Sequence, residues 1–133
     1  MNAPLIVAGA LALVGTAIHG VGGELLVVRK LATDALPPSR FGGPTMTRAM
    51  IHASWHVTTA AFAVTAAALI VAGAKLDGDA ARAVAIVAAA ACTSFAAVVL
   101  GLGVATLSVR SIFKHPAPVL LSAIAALAWV GAL

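Results

Sequence analysis

The chain has 133 residues, of which 62% are hydrophobic and 9% charged, with a formal net charge of +4. A soluble domain carries about 25% charged residues because its surface must face water, so this composition excludes an ordinary water-soluble globule and leaves lipid as the outer medium. The basic balance does not point to nucleic acid either, because the charges sit in short segments between apolar runs rather than on a basic face interleaved with aromatics.

The first apolar run covers residues 4–28. No basic residue precedes it and it outruns a secretory leader, so it reads as a retained first span. Arg29 and Lys30 close it with charges that suit a helix C-terminus. The connection 29–47 contains Pro37-Pro38 and Gly42-Gly43-Pro44, which exclude helix. Thr45 or Thr47 is placed to cap a second run over 48–73.

Asp77-Gly78 reads as a turn and Asp79 as the N-cap of a third run over 80–109. This run holds Cys92, the single cysteine, which reads as a small packing residue. One cysteine excludes an intramolecular disulfide and a multi-cysteine zinc site. Pro116 suits the first turn of a fourth run over 116–133. Each run is at least about 18 residues, near the length needed to cross about 30 Å of hydrocarbon, with the fourth barely sufficient. The prediction is a single all-α domain over 1–133, an integral membrane four-helix bundle whose glycines allow close helix approach.

Orientation follows from the basic residues. The first loop region holds Arg29, Lys30, Arg40 and Arg48, and the third holds Arg110 and Lys114. The second holds Lys75 and Arg82 beside Asp77 and Asp79. The positive-inside rule puts the first and third loops in the cytoplasm. The expectation is a multi-pass protein of a bacterial plasma (inner) membrane with both termini outside.

With that topology, the polar residues fall in one leaflet. His19 and Glu24 lie near the cytoplasmic end of the first helix, His52 and His56 near that of the second, and His115 opens the fourth. A carboxylate within a span is costly and marks function by default. Glu24 also sits at the wrong end of its helix for a negative charge, and Arg48 at the wrong end of the next. Pairing of Glu24 with Arg48 would cancel both misfits, and this is the structural reading. Trp55 reads as an aromatic packed between helices, with Gly22 and Gly23 as packing positions and Trp129 as an anchor at the outer interface.

The functional readings of the histidines are a metal site, a b-type haem, or a proton or quinone site. Imidazole and carboxylate ligate transition metals. His52 and His56, four apart, supply two ligands from one helix, with Glu24 or His115 as a third. A haem would need His19 facing His56. At 100° per residue, His19 and Glu24 lie about 140° apart on a regular helix, so they share a partner only if Gly22-Gly23 distorts it. No Ser/His/Asp or Cys/His nucleophile arrangement is present.

The stretches His19-Gly20-Val21-Gly22-Gly23-Glu24, Ala53-Ser54-Trp55-His56 and His115-Pro116 resemble a group of small four-helix bacterial membrane proteins. In that group an H-x-x-x-G-E element ends the first helix, a WH pair lies in the second and an HP pair opens the fourth. The resemblance carries no activity. It implies that His19, Glu24, Trp55, His56 and His115 matter more than His52, and so favours a site drawn from three helices. The expected function is therefore binding of a transition metal or haem b in the cytoplasmic leaflet through His19, His56 and His115 with Glu24. The alternatives are an accessory or structural subunit of a larger membrane complex and, less supported, a proton-coupled small-molecule transporter acting as a homodimer.

Overall fold

The computed structural model describes residues 1–106, 112 and 114–133. Among these the chain forms four main helices and no strand: α1 (Ala3–Lys30), α2 (Pro44–Ala74), α3 (Gly78–Thr106) and α4 (Pro116–Ala132). α1, α2 and α3 are long and apolar enough to cross a membrane, with 28, 31 and 29 residues. α4 has 17 residues, about 26 Å of helix.

Local chemistry sets most of the boundaries. The Asn2 side chain accepts from the backbone N–H of Leu5 at 3.3 Å, which caps α1. α2 begins at Pro44, four residues before the expected start at Arg48, with Gly43 as its N-cap. Pro44 does not exclude helix there, because the first turn needs no N–H from it. Neither Thr45 nor Thr47 caps α2: the Thr47 hydroxyl donates instead to the Pro37 carbonyl at 2.6 Å, tying the connection to the helix. Arg48 thus sits in the second turn rather than at the terminus.

Gly78 has a φ of +60°, which only glycine adopts readily, and α3 starts there, so Asp79 falls in its first turn rather than at the N-cap. The acidic residue still complements the helix dipole. The expected end of the third run, residues 107–109, and Arg110 lie outside the described residues. His115 caps α4, its Nδ1 accepting from the Ala117 N–H at 3.2 Å.

α1 packs on α2 and α4, and α3 packs on the same two, so the helices follow one another around a ring that α4 closes. Asn2 fixes one end of it. Its backbone N–H donates to the Gly73 carbonyl at 2.7 Å and its side-chain amide to the Gly131 carbonyl at 2.7 Å. Both acceptors are among the carbonyls that α2 and α4 leave unpaired at their C-termini. The start of α1 therefore meets the ends of α2 and α4, which makes α1 antiparallel to both. On the far side of the ring, the Trp129 indole N–H donates to Thr93 Oγ1 at 3.0 Å and joins α4 to α3.

The core is mostly alanine around three large buried side chains, Leu5, Leu69 and Ile124. The outside of the bundle is apolar. Val57, Val64 and Val71 are exposed along α2, as are Val87, Val98 and Leu102 along α3. Hydroxyls on the helices, including those of Thr16, Thr65 and Ser94, donate to carbonyls four residues back. They place no unpaired donor on that surface.

Candidate functional site

The site forms where α1 departs from regular geometry. Its α-helical part ends at Ala17, residues Ile18–Gly22 form a π turn, and an α turn over Gly23–Leu26 follows. Val27 then breaks the helix with φ −123° and ψ −66°, and Val28–Lys30 form a 3₁₀ turn. Gly20, Gly22 and Gly23 weaken the α-helical preference here. α2 supplies the compensating contact, since the Trp55 indole N–H donates to the His19 carbonyl at 3.0 Å. A Cβ on Gly20 would meet Thr59 Cγ2 at 2.7 Å, and one on Gly23 would collide with the Trp55 ring. The two helices therefore approach closely at this level.

A π turn closes from i to i+5, which brings residues five apart to one side. His19 and Glu24 are five apart, and both face α2: His19 meets Trp55 and Thr59, and Glu24 meets His52 and His56. The 140° separation expected of a regular helix is removed by this distortion.

Glu24 is held from three directions. Its Oε1 accepts from Arg29 Nε at 3.2 Å, while Oε2 lies 3.1 Å from His52 Nε2 and 3.4 Å from His56 Nε2. The Glu24 side chain is 15% exposed, the imidazoles 49% and Arg29 66%. Oε2 itself is buried, and neither imidazole is angled to give it a directed hydrogen bond. Distance alone thus makes these ion pairs, while the angles describe atoms converging on a point.

The expected Glu24–Arg48 pair is replaced by Glu24–Arg29. The break at Val27 and the 3₁₀ turn carry Arg29 back beside the carboxylate, and the early start of α2 moves Arg48 off its terminus.

The histidines separate into two environments. His52 and His56 stay together, ring centroids 4.8 Å apart, and with Glu24 they place three donor atoms within 4.8 Å of one another. His19 turns away from this group. Its ring stacks on Trp55 at 4.4 Å and 11°, meets the Phe62 ring edge-on at 5.1 Å, and holds Thr59 Oγ1 through Nδ1 at 2.9 Å. His115 is occupied as the cap of α4. The set His19, His56, His115 and Glu24 is therefore not assembled at one point, whereas His52 belongs to the group that is. His19 and His56 do not face each other across a slot for a macrocycle, since one is stacked on Trp55 and the other turned to Glu24. These residues do not fit a haem.

His19 and His115 instead line a cavity of about 260 Å³ inside the bundle, with Trp55 and Phe62 from α2, Cys92 and Phe95 from α3 and Leu120 from α4. Gly22 lines it as well: a Cβ there would meet only Ile18 of its own helix, at 4.0 Å. Of the two expected packing glycines, only Gly23 touches the neighbouring helix. Arg29, the cavity and Phe95 were not read from the sequence. The spacing of Trp55, Thr59 and Phe62, at i, i+4 and i+7, is the signal of one helix face that would have led to the cavity.

The Glu24–His52–His56 group suits a small divalent metal. Zinc binds nitrogen at about 2.0–2.1 Å and oxygen at about 2.0–2.2 Å, which sets tetrahedral donors roughly 3.3–3.5 Å apart. The 3.4 Å carboxylate–imidazole distance to His56 already matches, the 3.1 Å distance to His52 is slightly short, and small turns of the half-exposed rings would bring all three donors into range. No protein-family model, curated protein or solved structure matches the chain.

Proposed function

We propose that the chain is an integral membrane four-helix bundle of a bacterial plasma membrane that binds a divalent transition metal through Glu24, His52 and His56. The observation that carries this is Glu24 Oε2, buried without a directed hydrogen bond and within 3.4 Å of two imidazole nitrogens. Three donors of the type preferred by zinc, iron or copper would leave one position of a tetrahedral site for water or a substrate ligand. The membrane setting is supported by the three long apolar helices and the apolar outer surface. The basic residues Arg29, Lys30, Arg40, Arg48 and Lys114 argue for a cytoplasmic position of the site.

The purified protein should take up one equivalent of Co²⁺, read from its visible spectrum, and Zn²⁺ should displace it. His52→Ala and His56→Ala should each lose the signal, while His115→Ala keeps it. A protein that gives no Co²⁺ spectrum, or a His52→Ala/His56→Ala double variant that still binds, would sink the proposal.

A second reading is favoured by the Arg29–Glu24 ion pair, which gives the carboxylate a protein counter-charge. In this reading the group clasps α1 to α2 in an accessory subunit of a larger membrane complex. It expects Glu24→Gln to lower thermal stability equally with and without chelator.

A further inference from the structure

The cavity between the four helices is separate from the Glu24 group, and its chemistry is specific. Its volume is about 260 Å³, where an apolar cavity of about 150 Å³ holds benzene. There is room for one ring with substituents. Left unfilled, a space of this size forfeits the dispersion contacts of every side chain around it. Its walls include an aromatic series: Trp55 stacks on His19, Phe62 meets His19 edge-on at 5.1 Å, and Phe95 meets Phe62 edge-on at 4.8 Å.

The hydrogen bonds fix what the two imidazoles offer. The Thr59 hydroxyl has one proton and gives it to the Trp55 carbonyl at 3.0 Å. Its contact with His19 Nδ1 at 2.9 Å must then be donated by the ring. A neutral His19 therefore carries its proton on Nδ1 and presents a lone pair at Nε2. His115 is the reverse. Its Nδ1 accepts from the Ala117 N–H, so the neutral ring carries its proton on Nε2 and presents a donor. No Asp, Glu, Lys or Arg is among the described residues that line the cavity, which disfavours a charged occupant.

We propose that this cavity binds a lipid-soluble phenol of one substituted ring, its hydroxyl donating to His19 Nε2. A plain hydrocarbon would leave the lone pair of His19 unmatched, and an aliphatic alcohol would not use the aromatic walls. A phenolic hydroxyl both donates to His19 and can accept from His115, while its ring packs among the aromatic side chains.

The test uses the purified full chain in nanodiscs with Trp129→Phe, so that Trp55 is the only tryptophan. 3,5-Dimethylphenol should quench its fluorescence saturably, and m-xylene, the same shape without the hydroxyl, should bind at least tenfold more weakly. His19→Phe should abolish that preference, and Gly22→Leu, whose side chain grows into the cavity from an ordinary helical backbone (φ −62°, ψ −47°), should remove saturable quenching by both probes. Circular dichroism of each variant confirms that it is folded. Quenching by dimethylphenol that rises linearly and equally in folded Gly22→Leu would mean partition into the bilayer and would overturn the proposal. Equal affinity of the two probes for the unsubstituted cavity would overturn it too, since the site would then be a general apolar space of the kind a lipid tail fills.

Discussion

Glu24 is the single glutamate of the chain, and its two oxygens do different things. Oε1 meets a largely exposed guanidinium and Oε2 a pair of imidazoles. A metal at Oε2 would sit close to the positive charge of Arg29, so Arg29 opposes the cation that Glu24 attracts. Arg29→Ala should therefore tighten Co²⁺ binding severalfold in a spectroscopic titration while leaving the unfolding temperature of the metal-free protein nearly unchanged, because exposed ion pairs contribute little. A Co²⁺ affinity lowered by the substitution would place Arg29 on the side of the metal. Metal at a hundredfold excess over its Kd should in turn stabilise the fold by about 2.7 kcal/mol, a gain that the chelator EDTA reverses. At this scale the sequence was partly legible. The i, i+4 spacing of His52 and His56 stated their common face, but Arg29 was hidden because its approach depends on a helix break that no residue type announces.

The π turn of α1 makes this meeting possible, and its glycines have distinct roles. Gly23 lies against the Trp55 ring, while Gly22 lies against open space. Gly23→Ala should cost about 1–3 kcal/mol through overpacking and disturb the Trp55–His19 stack. Gly22→Ala should be neutral or stabilise by up to about 1 kcal/mol, as replacement of glycine within a helix does. Thermal unfolding followed by circular dichroism separates the two, and equal responses would contradict the packing described for Trp55. The four apolar runs, the end of the third aside, were readable in the sequence to within a few residues because composition and proline or glycine breaks determine them. The early start of α2 was not, because Pro44 serves equally well as a breaker of one segment and the opening residue of another.

For the whole molecule, Leu5, Leu69 and the Asn2 clasp lie at one end of the bundle, the histidines and the carboxylate gather at the other, and Ile124 borders the cavity. One end is built for packing and the other gathers the ionisable side chains, following the one-sided distribution of His19, His52, His56 and His115 along the sequence. The proposed orientation puts the second end at the cytoplasmic face. Ser39→Cys, in the connection between α1 and α2, should react with a membrane-impermeant maleimide only after the cells are permeabilised. Leu133→Cys should react in intact cells. Cys92 is 3% exposed and provides a silent background. The reverse pattern would invert the topology while leaving the site geometry untouched.

The five-residue closure at Ile18–Gly22 also means that the site depends on counting. A π turn takes one residue more than an α turn, so removing Val21 would allow α1 to run on as regular helix with every functional side chain still present. His19 and Glu24 would then stand four apart, about 40° around a regular helix and still on one face, whereas a residue inserted after Val21 would carry Glu24 about 100° further round, away from His52 and His56. The insertion should abolish Co²⁺ uptake while the helical content holds, with no ligand changed, and the deletion should keep uptake. An added residue, rather than a removed one, is the change to which this site is least tolerant.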